Sequence, residues 1–226
     1  MSNPCVIPTM VQDTLGDGRW MSQHKRNLAE GLEREPEVVL IGDSIIHCLM
    51  LRSIWHDLFE PLHCLNFGIE FDETQHVLWR INDGILDHVK PKVVVVHVGT
   101  YNTSNTPDQI SAGILEIANA IRSKLPETNI VICSILPRGQ HDNPLRKLYA
   151  ETNKEICSKV ANFPKLEYID ISKELVQPDG SISHHDMLDY LRPTNAGYHK
   201  CFEPVHELLI QLLSEHEVER DLTPSE

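Results

Sequence analysis

The group with the clearest chemical potential in this chain is the hydroxyl of Ser44, because of where it falls. Val38-Val39-Leu40-Ile41 is an apolar, largely β-branched run of the kind that forms a buried strand. Gly42-Asp43-Ser44 interrupts it, and Ile45-Ile46-His47-Cys48-Leu49-Met50 resumes with a helix-compatible spacing. Ser44 therefore stands where a strand turns into a helix, beside the free N–H groups and the positive end of that helix. The position suits a serine nucleophile. It equally suits a serine that only caps the helix.

The elements needed to hold such a serine follow from the apolar pattern. Residues 1–19 contain Pro and Gly and read as an arm lying on the body. A helix is expected from Trp20 to Arg34, with Trp20, Met21, His24, Leu28 and Leu32 on or near one face. Strands are expected near Glu37–Ile41, Leu62–Gly68, Lys92–Val98, Asn129–Leu136 and Leu166–Ile171. The third of these is the most hydrophobic run, as a central parallel strand requires. Between them lie helices to about Phe59, over Glu73–Ile81, over Pro107–Leu125 and over Asn143–Asn162, and a last one from Asn195 to Leu213. Strand and helix alternate throughout, which predicts an α/β fold: one three-layer αβα domain over residues 20–214 with a parallel five-stranded sheet. Glu215–Glu226 carries five acids and one arginine and reads as a solvated, frayed acidic tail.

Composition narrows the possible roles. A length of 226 residues supports one substantial core, and 33 acidic against 20 basic residues give a net charge of −13. That balance speaks against nucleic acid and against anionic membrane surfaces as partners. No apolar run approaches a membrane span, and no signal-peptide pattern opens the chain. The six cysteines are scattered and form no C-x-x-C pair, so no metal is expected and reduced thiols in a cytoplasmic protein are the simplest reading.

In doubly wound folds ligands bind outside the carboxyl ends of the strands. Four segments are expected there: Gly42-Asp43-Ser44, Asn66 to Asp72, Val98-Gly99-Thr100-Tyr101-Asn102 and Asp189-Tyr190-Leu191-Arg192. Together they resemble the SGNH (GDSL-like) hydrolases, whose fold is flavodoxin-like. Gln75–Arg80, Leu136–His141 and Ile182–Met187 are similar to the catalytic α subunits of intracellular platelet-activating factor acetylhydrolase type I. The resemblance covers roughly residues 20–213. It implies serine acyl transfer without a cofactor, and a subunit that dimerises and binds the WD40-repeat lissencephaly protein, a regulator of dynein.

Carried over position by position, the resemblance supplies the nucleophile at Ser44 and the aspartate of the D-x-x-H motif at Asp189. The other three positions are replaced. Phe71 stands where the family has its oxyanion-hole glycine, Tyr101 where it has the oxyanion asparagine, and Arg192 where it has the general base. Arginine has no acceptor and stays protonated, so Arg192 cannot take a proton from Ser44. Loss of the base in a serine triad costs on the order of 10⁶ in turnover. Loss of one oxyanion donor costs about 10²–10³. Glu70 adds charge of the wrong sign beside the hole. No other histidine is expected to replace the base: His97 reads as a satisfied core residue, His199 as exposed, and His184 and His185 as serving elsewhere.

Three readings follow. The chain is a catalytically inactive, dimeric binding partner on a hydrolase fold; or an active serine esterase removing the acetyl group of platelet-activating-factor-like phospholipids; or an anion-binding module that uses the old pocket. The lost groups favour the first.

Overall fold

The computed structural model describes residues 2–161 and 163–222. Five parallel strands, β1 (Val38–Gly42), β2 (Cys64–Gly68), β3 (Val93–His97), β4 (Asn129–Cys133) and β5 (Leu166–Ile169), form one sheet in the order β2-β1-β3-β4-β5. The helices are α1 (Arg19–Glu33), α2 (Ser44–Leu49), α3 (Thr74–Asn82), α4 (Pro107–Lys124), α5 (Pro144–Val160) and α6 (Asn195–Leu222).

Alternation along each strand divides the core into two layers. Val39, Ile41, Val94, Val96, Ile130 and Ile132 face α3, α4 and α5. Val38, Leu40, Val93, Val95 and Val131 face α2 and α6. All these side chains are buried, which is why the strands carry nearly continuous apolar runs. The sheet reverses its order between β1 and β3, and such a switch point opens a crevice at the carboxyl edge. Gly42, Gly68 and His97 lie in register at that edge.

Several expected boundaries move for identifiable reasons. β4 stops at Cys133 instead of Leu136 because Asn153 takes both the N–H of Ile135 (2.8 Å) and its carbonyl (2.9 Å). β5 stops at Ile169 because the Asp170 carboxylate turns back to accept from the Ser172 N–H at 3.0 Å. The single helix expected after Ser44 is α2, then a π-helical turn (Trp55–Phe59) and a 3₁₀ turn (Glu60–Leu62). The wide turn lays the rings of Trp55 and Phe59 parallel, 5.9 Å apart, and sets Phe59 edge-on against Phe202.

On α1 the buried stripe is His24, Asn27 and Gly31, and Leu32, expected inward, is 64% exposed. The helix expected to end at Leu213 runs to Leu222, so residues 215–222 of the acidic stretch are helical; no Gly or Pro lies between Leu213 and Leu222. Residues 223–226 lie outside the described residues. The arm of residues 2–18 packs through Cys5, which is buried, and Asn3, which donates to the Gln109 carbonyl at 3.0 Å.

Candidate active site

The tight passage from β1 into α2 depends on two glycines. A Cβ on Gly42 would lie 1.9 Å from the His97 carbonyl oxygen, and one on Gly68 would lie 2.3 Å from the His47 amide nitrogen. Their absence lets α2 start against the ends of β2 and β3. The helix is capped by Asp43, whose Oδ1 accepts from the Ile45 N–H at 2.9 Å. Ser44 is thus not the cap. It is the first helical residue, and its hydroxyl is free to face the crevice.

What meets that hydroxyl is protein. Ser44 is 1% exposed. Its Oγ accepts from the Phe71 N–H at 2.9 Å and from the Tyr101 hydroxyl at 2.9 Å. The resemblance assigns Phe71 and Tyr101 to oxyanion-hole positions, and in the structure both bond to the serine itself. The Tyr101 ring stands edge-on to the Phe71 ring, with centroids 5.2 Å apart. Phe71 keeps the backbone conformation a glycine would prefer, with φ +65°, and half its surface is exposed. Burial raises the Tyr101 phenol above its usual pKa, partly offset by the bond to Ser44, so it holds its proton and donates.

Asp189 and Arg192 form a closed pair at the rim. The Asp189 carboxylate accepts from the Arg192 backbone N–H at 2.7 Å, from Nε at 3.0 Å and from Nη2 at 2.7 Å. Burial pushes the Asp189 carboxyl up, but these donors outweigh it and hold it below the usual range. Bonding to Asp189 raises Arg192 further. The guanidinium lies close enough for its charge to bear on the Tyr101 phenol and the Cys48 thiol. The arrangement therefore has a hydroxyl, two donors already bound to it and a cation, with no base hydrogen-bonded to the hydroxyl among the described residues.

The histidines weighed as substitutes are engaged elsewhere. His97 is fully buried and its Nδ1 lies 3.3 Å from Asp43 Oδ1, but its Nε2 has no partner, so it is only half satisfied, contrary to expectation. His199 is bonded to Glu203 at 2.8 Å, and the exposed rings of His184 and His185 lie tilted against each other with centroids 4.1 Å apart.

Two supports of the site were not read from the sequence. Arg80, fully buried, donates to the Phe67 carbonyl at 2.6 Å and to the Gly42 carbonyl at 3.1 Å, and pairs with Asp72 at 2.7 Å. Trp20 Nε1 donates to Asp72 at 2.6 Å. Asn102 Oδ1 accepts from the Thr74 N–H at 3.0 Å, tying the turn after β3 to α3. Arg80 sits on the buried face of α3 one turn after His76, a weak signal that a buried cation would need carbonyls and a carboxylate nearby. A cavity of about 280 Å³ adjoins the turn on the side of Trp20, Gln23, Ile69 and Phe71; Ser44 does not line it.

Comparison with known proteins agrees with this geometry. Residues 40–200 match the model of the GDSL-like Lipase/Acylhydrolase family. The chain is 48% identical to the platelet-activating factor acetylhydrolase IB subunit beta homolog of Drosophila melanogaster, over 99% of this chain and 100% of that one. It is 46% identical to the human platelet-activating factor acetylhydrolase IB subunit alpha1, over 94% of this chain and 92% of that protein. A GDSL-like lipase from Bacteroides thetaiotaomicron shares the fold, with a TM-score of 0.64 at 19% identity over 85% of this chain and 98% of that one. By its motif order, its sheet topology and these matches, the chain belongs to the GDSL-like lipase/acylhydrolase family.

Proposed function

We propose that this protein is a catalytically inactive homologue of the platelet-activating factor acetylhydrolase α subunit, acting as a cytoplasmic homodimer that binds the WD40-repeat lissencephaly protein. One observation carries the loss of activity: the position of the general base holds Arg192, whose Nε and Nη2 both donate to Asp189 Oδ2. Without an acceptor there, Ser44 keeps its proton, and its Oγ is spent on Phe71 and Tyr101. The partner role is supported by the relatives, which are named as subunits, and by identity that extends over nearly the whole chain. The cytoplasmic reading is supported by cysteines that are all free thiols among the described residues.

The test is hydrolysis of an acetyl ester by the purified chain beside its Ser44→Ala variant, with an organophosphonate as a probe of Ser44. Equal background turnover and no label are expected. Stoichiometric labelling together with turnover lost in Ser44→Ala would establish the active esterase instead.

A further inference from the structure

We infer that the amino edge of the sheet, opposite Ser44, carries a binding site for a phosphorylated group. There the segment Lys90-Pro91-Lys92 leading into β3, the turn Lys124–Thr128 after α4 and His216 of α6 enclose a cavity of about 360 Å³. That volume falls within the range of small-molecule sites.

Charge sets this cavity apart. The chain has 33 acids to 20 bases, yet the lining carries Lys90, Lys92, Lys124 and His216 against Glu127 alone. Glu127 is itself taken up by Lys165 at 3.0 Å. Lys92 is held by Glu37 at 2.7 Å and Lys124 by Asp87 at 2.5 Å, so both ammonium groups are fixed in place by neighbouring elements. Lys90 is exposed and forms no ion pair among the described residues. The wall between α4 and β4 is rigid, because Arg122 donates to the carbonyls of Pro126 and Thr128 at 2.7 Å each and to those of Pro164 and Lys165.

A second observation points to an oxygen-rich ligand. The His216 ring lines the same cavity as the three lysines. A phosphate presents several strong acceptors to ammonium and imidazole donors at once. Pro91, Pro126 and the buried Leu125 supply an apolar floor for the body of the molecule. The same phosphate chemistry could come from a soluble ester or from a lipid headgroup.

The experiment titrates the full chain with inorganic pyrophosphate by calorimetry, and sediments it with phosphatidylcholine vesicles with and without a phosphoinositide. Saturable pyrophosphate binding that weakens with salt is expected, with Kd below about 1 mM, and at least about tenfold weaker in Lys90→Glu and in Lys90→Glu/His216→Ala. Lys90 is exposed, so the single variant should fold like the parent, checked by its melting curve. Vesicle binding that requires the phosphoinositide and is lost in Lys90→Glu assigns the site to a headgroup; pyrophosphate binding without vesicle binding assigns it to a soluble ester. No saturation at several millimolar, or equal affinity in the parent and Lys90→Glu, overturns the site.

Discussion

Ser44 Oγ accepts two hydrogen bonds, from the Phe71 N–H and the Tyr101 hydroxyl. In a functioning hydrolase the nucleophile sits under strain, and its removal often stabilises the fold. Here Ser44→Ala would leave the Phe71 N–H and the Tyr101 hydroxyl without their acceptor. It is therefore expected to lower stability by about 1–2 kcal/mol, read as a lower urea midpoint at unchanged slope. A stabilised variant would mean that the two donors are not bound as described. The same contacts decide what rebuilding requires. Arg192→His restores an acceptor but leaves the hydroxyl covered, so it should stay at background in an acetyl-ester assay. Adding Tyr101→Asn, Phe71→Gly and Glu70→Gly should bring measurable, Ser44-dependent turnover; a folded quadruple variant without it shows that the crevice has diverged further. Phe71→Gly alone should move stability by less than about 1 kcal/mol. Relief of a left-handed phenylalanine, worth about 1–2 kcal/mol, is offset by loss of an edge-to-face pair worth about 0.5–1.5 kcal/mol.

At the scale of elements, the turn after β2 is held by α3, and α3 introduces a pH dependence. Burial, reinforced by the Arg80 charge, lowers the His76 pKa to about 4 from its ordinary 6.5. His76 Nδ1 accepts from the Glu73 N–H at 3.0 Å, a bond the neutral ring can accept. A depressed histidine means the unfolded chain binds more protons between pH 4 and 6.5, so this group's contribution is complete above 6.5 and is lost as pH falls toward 4. The size is about 3 kcal/mol. Asp72, lifted to about 6 mainly by burial, works in the opposite direction over much of the same window. The difference between the parent and His76→Gln, which keeps an acceptor, isolates the histidine: the parent should lose up to about 3 kcal/mol more on acidification. A constant difference would show that His76 titrates normally. These couplings also show what the sequence could reveal. Strands, helices and the four edge segments were legible because apolar period and turn residues are local signals. The Arg80–Asp72–Trp20 cluster was not, because Trp20 lies 52 residues from Asp72 and the three meet only after folding. The inward stripe of α1 was misread for a related reason: His24 and Asn27 are buried by bonds to Asp83 and Gln23, which hydrophobicity does not register.

For the molecule as a whole, the proposed role is assembly, and its tests concern mass and partners. Light scattering of the isolated chain should give a dimer, and a stable monomer would contradict it. Titration with the WD40-repeat protein should show micromolar or tighter binding, with an association rate that falls as salt rises, since a net charge of −13 steers the encounter more than it tightens the complex. No binding at low salt would remove the proposed role and leave the fold to serve a ligand. The placement of α6 has a further consequence, which concerns time. Tyr198 donates its hydroxyl to the Ile45 carbonyl at 2.9 Å across 153 residues, and Arg52 lies over the Tyr198 ring. The helix that presents Ser44 is thus braced by a residue made 153 positions after Ile45. A growing chain on the ribosome can pair β1, β2 and β3 long before that brace emerges. Until then the apolar face of α2 stays uncovered, and a nascent chain stalled short of Tyr198 offers that face to whatever chaperone waits at the exit.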